Sequence, residues 1–482
     1  MRVLENFING AWVASAGTTL LDVKNPATGE LLAKVPLSTS ADVDAAVQAA
    51  KAAFPAWRAV PPVQRARYLF KLKNLFDQHR EEIANICTSE HGKTFSESFN
   101  DFGRGIENVE HACGIPALLM GDHLENVATG IDTKVLRQPL GVFAAITPFN
   151  FPPMVPLWFL PYAIAAGNTF VLKPSEQVPL SQKRIFELIG QVGLPNGVVN
   201  LVNGGREVVE AICEHPDVKG VSFVGSSNVA KIVYRKCGET GKRVQALGGA
   251  KNFIVIMPDA DMERAVQNAV ESCYGCAGQR CLAGSVIVPV GDAYERVRDL
   301  FVEYTKKIVL GDGKNPGTTL GPVVSRAHKD KVLSYIEKGL QEGAKLVLDG
   351  RNATVDGLPD GNWIGPTIFE GVRPDMVIGR EEIFGPVACF MRAKDLDEAI
   401  RLANASEYGN ASSIYTTNGK AAREFGARVE AGMVGVNIGV AAPMAFFPFG
   451  GQKASLYGDT KAHGAAGVDF YTERKIVIER WF

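Results

Sequence analysis

Gly141-Val142-Phe143-Ala144-Ala145-Ile146 is the stretch whose reading decides the fold. It carries no charge and is closed by Thr147-Pro148, so it reads as a short strand buried on both faces, as inside a parallel sheet. Three more runs follow: Asn168-Thr169-Phe170-Val171-Leu172-Lys173, Gly197-Val198-Val199-Asn200-Leu201-Val202 and Gly220-Val221-Ser222-Phe223-Val224-Gly225. Helical spacing over residues 181–192 and 206–214 separates them. Strand and helix in alternation predict βαβ units and an α/β, doubly wound, Rossmann-type sheet. The glycine-rich dinucleotide fingerprint is missing, since Phe223-Val224-Gly225-Ser226-Ser227-Asn228 offers one glycine. What remains is a strand, a small-residue turn and a helix N-terminus, which present amides to a phosphate as readily as they make a plain turn.

Upstream, residues 41–54 and 64–88 repeat apolar positions every three or four residues, so the first third is predicted to be mainly helical. Downstream, Asn252-Phe253-Ile254-Val255-Ile256, Val286-Ile287-Val288, Lys345-Leu346-Val347-Leu348 and Val434-Gly435-Val436-Asn437 predict a second α/β sheet. Thr133-Lys134-Val135-Leu136-Arg137 and the stretch from Tyr471 to Ile478 alternate in the manner of strands. Left at a sheet edge, such strands pair within the chain or between subunits.

A chain of 482 residues with 46% hydrophobic content can fill two or three domains. Its 51 Lys and Arg balance 52 Asp and Glu, so no global field draws it to nucleic acid or an anionic membrane. Residues 1–12 lack the apolar core of a signal peptide, and residues 154–166 are apolar but too short to span a bilayer. A soluble cytoplasmic protein is expected. The eight cysteines form no dense framework, and reduced thiols are expected. Cys273-x-x-Cys276-x4-Cys281 lacks a fourth ligand, and the seven histidines show no metal spacing, so no metal is expected. Cys273 and Cys276 follow a helical stretch and read as buried thiols rather than a redox pair.

The chemistry is concentrated in Gly275-Cys276-Ala277-Gly278-Gln279-Arg280-Cys281. Small residues expose Cys281, and Arg280 beside it favours a thiolate, the pattern of a nucleophile. Six segments then resemble the aldehyde dehydrogenase superfamily, in its order and over essentially the whole chain: Thr147-Pro148-Phe149-Asn150-Phe151-Pro152, Leu172-Lys173-Pro174-Ser175-Glu176, Phe223-Val224-Gly225-Ser226, Gly278-Gln279-Arg280-Cys281, Glu381-Glu382-Ile383-Phe384-Gly385-Pro386-Val387 and Pro448-Phe449-Gly450-Gly451.

The resemblance implies a Rossmann-type NAD-binding domain (residues 1–119 and 139–248), an α/β catalytic domain (249–464) and a small β oligomerisation element (120–138 and 465–482). It implies self-association as a dimer or tetramer. Cys281 matches the nucleophile that passes from thiohemiacetal to thioester, and Asn150 the residue stabilising the tetrahedral oxygen together with the Cys281 N–H. Phe149, Lys173, Glu176, Ser226, Glu382 and Phe384 match cofactor positions. A carboxylate at Glu176 accepts from a free ribose hydroxyl and repels a 2′-phosphate, which favours NAD over NADP.

One departure narrows this further. Hydrolytic members carry a water-activating Glu in a Glu-Leu-Gly-Gly-Lys segment, where this chain has Gln245-Ala246-Leu247-Gly248-Gly249-Ala250-Lys251. Depending on the alignment, Ala246 or Leu247 takes the place of the Glu, and neither accepts a proton. General-base help is worth typically ~10²–10⁴-fold to attack by water, whereas a thiol needs much less. The same departure, with Gly241-Lys242-Arg243-Val244-Gln245-Ala246 and Tyr457-Gly458-Asp459-Thr460, resembles the CoA-acylating branch that acts on methylmalonate and malonate semialdehydes. That resemblance implies NAD-linked oxidation, decarboxylation and transfer to coenzyme A as co-substrate. A carboxylated substrate needs a cation, for which Arg280 and then Arg104 are the candidates, Arg104 being as readily a partner in a helical ion pair. Lys453 reads as a surface lysine. The alternative within the superfamily is a hydrolytic enzyme using another carboxylate, and from a different class a non-catalytic relative.

Overall fold

A computed structural model describes residues 2–482. The uncharged run 141–146 forms the strand Val142–Ile146, buried throughout, at the centre of an eight-stranded sheet. Its parallel neighbours are Thr169–Lys173, leading on to Val199–Leu201, and on the other side Val218–Val224, leading on to Arg243–Leu247. The chain winds outward in one direction and then returns to wind in the other. The carboxyl ends of Val142–Ile146 and Val218–Val224 therefore flank a topological switch point, the position at which open α/β sheets bind ligands.

A second, seven-stranded sheet has Phe253–Ile256 near its middle, parallel to Val286–Pro289 on one side and to Ala411–Tyr415 on the other. Val387–Phe390, Thr367–Glu370 and Met433–Val436 extend it in parallel, and only Lys345–Leu348 runs antiparallel, at an edge. A third sheet is a small antiparallel one. Thr472–Arg480 pairs along nine positions with Ile131–Pro139, which also pairs with His123–Ala128. Ile476, Ile478 and Leu124 are exposed on it.

The two alternating strands expected to pair within the chain or between subunits thus pair with each other. The amino-terminal third is less helical than its periodicity implies. Four strands precede the first helix, and Asn6–Ile8 joins the large sheet through Phe7 and Leu201. Strands of three residues carry too few positions to register a period. The pattern over 64–88 divides into two helices, Pro62–Gln78 and Arg80–His91. Arg243–Leu247 escaped the sequence reading because Arg243 and Gln245 interrupt its apolar pattern. Gln245 is nonetheless buried, its Nε2 donating to Ser222 Oγ at 2.9 Å, and that hydroxyl lies 2.9 Å from Tyr471 Oη. No helix among the described residues is long and apolar enough to cross a membrane.

Tyr471 ties the carboxyl-terminal strand to the sheet through that buried chain of polar atoms. Tyr471→Phe should therefore leave Ser222 short of a partner and lower unfolding stability by ~1–2 kcal/mol, read as a lower urea midpoint with an unchanged slope. An unaltered midpoint would mean that the network contributes nothing.

Candidate active site

Helix Met262–Tyr274 ends at Gly275, and the chain then passes through Cys276 (φ 51°), Ala277 (φ 54°) and Gly278 (φ 70°), three consecutive left-handed residues. Such conformations cost energy in non-glycine residues and persist only where the surroundings enforce them. At Gly278 no side chain fits, because a Cβ would lie 2.1 Å from the Gly385 carbonyl oxygen. The fully buried Gln279 holds the loop, its Nε2 donating to the Cys276 carbonyl at 3.1 Å and its Oε1 accepting from the Val324 N–H at 3.1 Å. The Cys281 carbonyl accepts from Asn252 Nδ2 at 3.0 Å and Asn410 Nδ2 at 2.7 Å. Asn252 and Asn410 stand immediately before strands of the second sheet. Cys281 is held by the amino ends of that sheet.

Of the eight cysteines, seven are buried and Cys281 alone is half-buried. Burial pushes its thiol up to about 12, and the Glu382 carboxylate adds to the shift, while backbone amides and Arg280 act the other way. Asn150 is anchored on both sides. Its carbonyl accepts from Lys93 Nζ at 2.6 Å, and its Nδ2 donates to the Gln279 carbonyl at 3.0 Å. One amide hydrogen of Asn150 is left over. The fully buried Lys93 also pairs with Asp101 at 2.8 Å and lies 4.2 Å over the Phe151 ring.

Two cavities open on Cys281. The larger, of about 420 Å³, lies at the switch point between Ile146-Thr147 and Val224-Gly225-Ser226. Phe149, Lys173, Glu176, Ser226, Glu382 and Phe384, the six predicted cofactor positions, all line it, as does Asn150. Lys173 Nζ pairs with Glu176 Oε2 at 2.8 Å. Ser226 begins helix Ser227–Glu239 without a side-chain cap, which leaves the first helical amides facing the cavity. Glu382 accepts from the Ala250 N–H at 2.9 Å, and burial raises its carboxyl to about 7. Phe149 and Phe384 meet edge to face at 5.8 Å. His328 hydrogen-bonds the Phe384 carbonyl at 2.7 Å, and burial lowers its pKa to about 4, so it is neutral at pH 7.

The smaller cavity, of about 210 Å³, is lined by both predicted substrate arginines. Arg280 Nη2 lies 3.3 Å from Glu97 Oε1, and its Nε donates to Cys276 Sγ at 3.4 Å. Arg104 pairs with Glu107 at 2.7 Å and donates to the Pro443 carbonyl at 2.6 Å. Arg104 is thus both an ion-pair partner and a cavity wall. Lys453, by contrast, reaches neither cavity and pairs with Glu430 at 2.7 Å.

The segment without a carboxylate runs beside these walls. Ala246 and Leu247 are consecutive on a strand and point to opposite faces. Leu247 belongs to the apolar cluster against which Cys281 packs, and Ala246 to a different one. Neither residue lines either of the cavities that open on Cys281. Gly249 lies against Glu382, where an added Cβ would come within 2.5 Å of Oε2.

Sequence reasoning missed Lys93, Glu97, Gln279, His328 and His463. The Thr94-x-x-Glu97 spacing is a capping box and the structure forms it, but that signal says nothing of the second role of Glu97 beneath Arg280. Among the described residues no cluster of three or more His, Cys, Asp or Glu could hold a metal ion.

Residues 12–477 match the aldehyde dehydrogenase family. Malonate-semialdehyde dehydrogenase 1 of Geobacillus kaustophilus is 52% identical over 479 residues, 99% of this chain and 98% of that protein. Among solved structures, the methylmalonate-semialdehyde dehydrogenase DddC of Oceanimonas doudoroffii superposes with a TM-score of 0.98 at 46% identity, covering 100% of this chain and 99% of that one. An NAD+ complex of an aldehyde dehydrogenase from Bacillus cereus superposes with a TM-score of 0.95 at 35% identity, covering 99% and 97%.

With its thiol pushed up to about 12, Cys281 of the ligand-free protein should be a slow nucleophile near neutrality. Its iodoacetamide alkylation rate should rise about tenfold per pH unit from about pH 7 to pH 9, because reactivity follows the thiolate fraction. Cys281→Ala should remove the reactive site. A plateau below about pH 8 would contradict the burial argument.

Proposed function

The chain belongs to the aldehyde dehydrogenase family, and from that premise we propose that it oxidises malonate or methylmalonate semialdehyde with NAD and passes the acyl group to coenzyme A. The observation that carries this reading is the position of Cys281 between two cavities of opposite character: amides, a Lys–Glu pair and small residues on one side, two arginines on the other. The names of the Geobacillus and Oceanimonas relatives point to the same substrates.

The larger cavity suits a dinucleotide. The amides at Ser226 and the following residues would hold the pyrophosphate, Lys173 and Glu176 a ribose, and Glu382 a second ribose, with Phe149 and Phe384 bounding the nicotinamide end. The Glu176 carboxylate disfavours a 2′-phosphate, and the NAD+ complex of the Bacillus cereus relative agrees with that choice. When bound, NAD supplies the hydride acceptor.

The steps at this chain's residues are then short. Cys281 gives up its proton to solvent water, and its sulfur bonds to the aldehyde carbon. The developing oxygen accepts from the remaining Asn150 amide hydrogen and the Cys281 N–H. Loss of hydride leaves a thioester on Cys281, and Arg280 and Arg104 orient the free carboxylate at the far end of the acyl group. Carbon dioxide departs from that end, and the carbon left behind takes up a proton. The thiol of coenzyme A displaces Cys281 to give acetyl-CoA or propionyl-CoA. Neither Ala246 nor Leu247 gives water a base. Exposed Ile476, Ile478 and Leu124 on the three-stranded sheet support self-association through that sheet.

A second reading rests on Glu382. Its carboxyl, raised to about 7, lies in the same cavity as Cys281 and is the acid best suited to activate water in a hydrolytic enzyme. Product analysis separates the two. With malonate semialdehyde and NAD, omission of CoA should halt NADH formation after about one equivalent per Cys281, and its addition should yield acetyl-CoA by mass. Steady NADH formation indifferent to CoA, with a free acid as product, would establish the hydrolytic reading instead. Asn150→Ala should lower kcat by ~10²–10³-fold in the CoA-dependent assay while Cys281 remains open to alkylation, and a loss below tenfold would remove Asn150 from the oxyanion site.

A further inference from the structure

His463 combines two features that rarely coincide. Its backbone lies at φ 70° and ψ 167°, a region of conformational space populated almost solely by glycine. Its side chain is buried, at 3% exposure, and neither ring nitrogen has a hydrogen-bond partner. Strain of this kind is costly, and a buried polar group without a partner adds to the cost. Packing alone does not account for that combination. The ring lies edge-on to Trp158 at 4.9 Å and tilted against Phe449 at 5.6 Å, contacts that an aliphatic side chain would also make without the desolvation cost.

The backbone is locked from both sides. Phe449 and Ala462 exchange two backbone hydrogen bonds, of 2.7 and 2.9 Å, immediately before His463, and the Gly464 N–H donates to the Ala445 carbonyl at 3.0 Å immediately after it. The imidazole so fixed lines the smaller cavity together with Cys281, Arg280 and Arg104. We propose that His463 is a substrate-contacting residue of that cavity, whose ring N–H donates to the distal carboxylate of the semialdehyde alongside Arg104. This rests on the carboxylated-substrate reading given above.

The imidazole is neutral at the working pH. Burial lowers its pKa to about 3, and the positive charge of Arg104 and the nearby His111 act in the same sense. A neutral imidazole has one donor and one acceptor. It orients a carboxylate without adding a third full positive charge, which suits a group that must later leave as carbon dioxide. An uncharged aldehyde of the same length, such as propanal, has no group to accept this bond.

The test is the ratio of kcat/KM for malonate semialdehyde to kcat/KM for propanal in the NAD- and CoA-supplied enzyme. His463→Leu should lower that ratio by ~10–100-fold, the size expected of a lost hydrogen bond to a charged group. His463→Asn, which retains a donor, should recover part of it. His463→Gly should lower the ratio as Leu does while leaving the melting temperature unchanged or raised, since glycine relieves the backbone strain. It therefore serves if the Leu variant does not fold. Equal losses on both aldehydes, or a ratio unmoved by Gly and Leu, would overturn the proposal. A wild-type enzyme that does not discriminate between the two aldehydes would instead overturn the substrate reading, whatever the variants do.

Discussion

Two side-chain amides converge on the carbonyl oxygen of Cys281, and much of the site depends on that convergence. Asn252 and Asn410 both donate to it, and Asn252 also spans to the Ala283 carbonyl at 2.9 Å and accepts from the Ala411 N–H at 3.0 Å. One polar cluster therefore joins the Cys281 loop to the starts of two neighbouring strands, Phe253–Ile256 and Ala411–Tyr415. Behind it runs the left-handed stretch at Cys276, Ala277 and Gly278, where the Gly385 carbonyl leaves no space for a side chain at Gly278. The sulfur is placed by the sheet rather than by a flexible loop, the condition under which a reacting atom can be held in an attack geometry.

Charge is managed by pairing. Each cation beside the smaller cavity already faces an acid: Arg280 has Glu97, Arg104 has Glu107, and Lys93 has Asp101. Unpaired, such cations would be costly where the wall is partly desolvated. Paired, each guanidinium still has N–H donors to spare, since one carboxylate uses at most two of its five. Glu97 takes on a further task, accepting from the Cys276 N–H at 2.6 Å within the strained run. The acid that orients Arg280 thus also stabilises the loop presenting Cys281. A change at Glu97 would act on charge and on geometry together.

The parallel sheet was legible from runs such as Gly141 to Ile146 because full burial on both faces leaves an unbroken apolar signature. Short strands such as Asn6–Ile8 and the polar-spotted Arg243–Leu247 were not, since tertiary pairing and not local pattern decides them. The candidate site residues that lie in compact motifs are those the structure gathers on the cavity walls: the six along the larger cavity, and Cys281 with Arg280 along the smaller. His463 was invisible for a physical reason. A histidine in a glycine conformation, with both nitrogens unpartnered, is defined by what surrounds it, and its neighbours Trp158 and Phe449 lie elsewhere in the sequence.

The absent carboxylate is likewise a matter of register. Alternation along Arg243–Leu247 sends Ala246 into the cluster beneath Val221 and Val233, and Leu247 toward the cluster that Cys281 packs against. Ala246 pairs with Phe223 on one side and Tyr457 on the other, and Leu247 with Val224 and Leu456. Both positions are interior to the sheet, with almost no exposure. Neither side chain lines a cavity that reaches Cys281, so this strand end offers no carboxylate to that site. On the proposed chemistry, a thioester on Cys281 would find no base on this strand to help water attack it. Burial at Cys281, which raises its thiol, would slow the proposed nucleophile before an aldehyde arrives. Such an arrangement favours an acceptor that brings its own strong nucleophile.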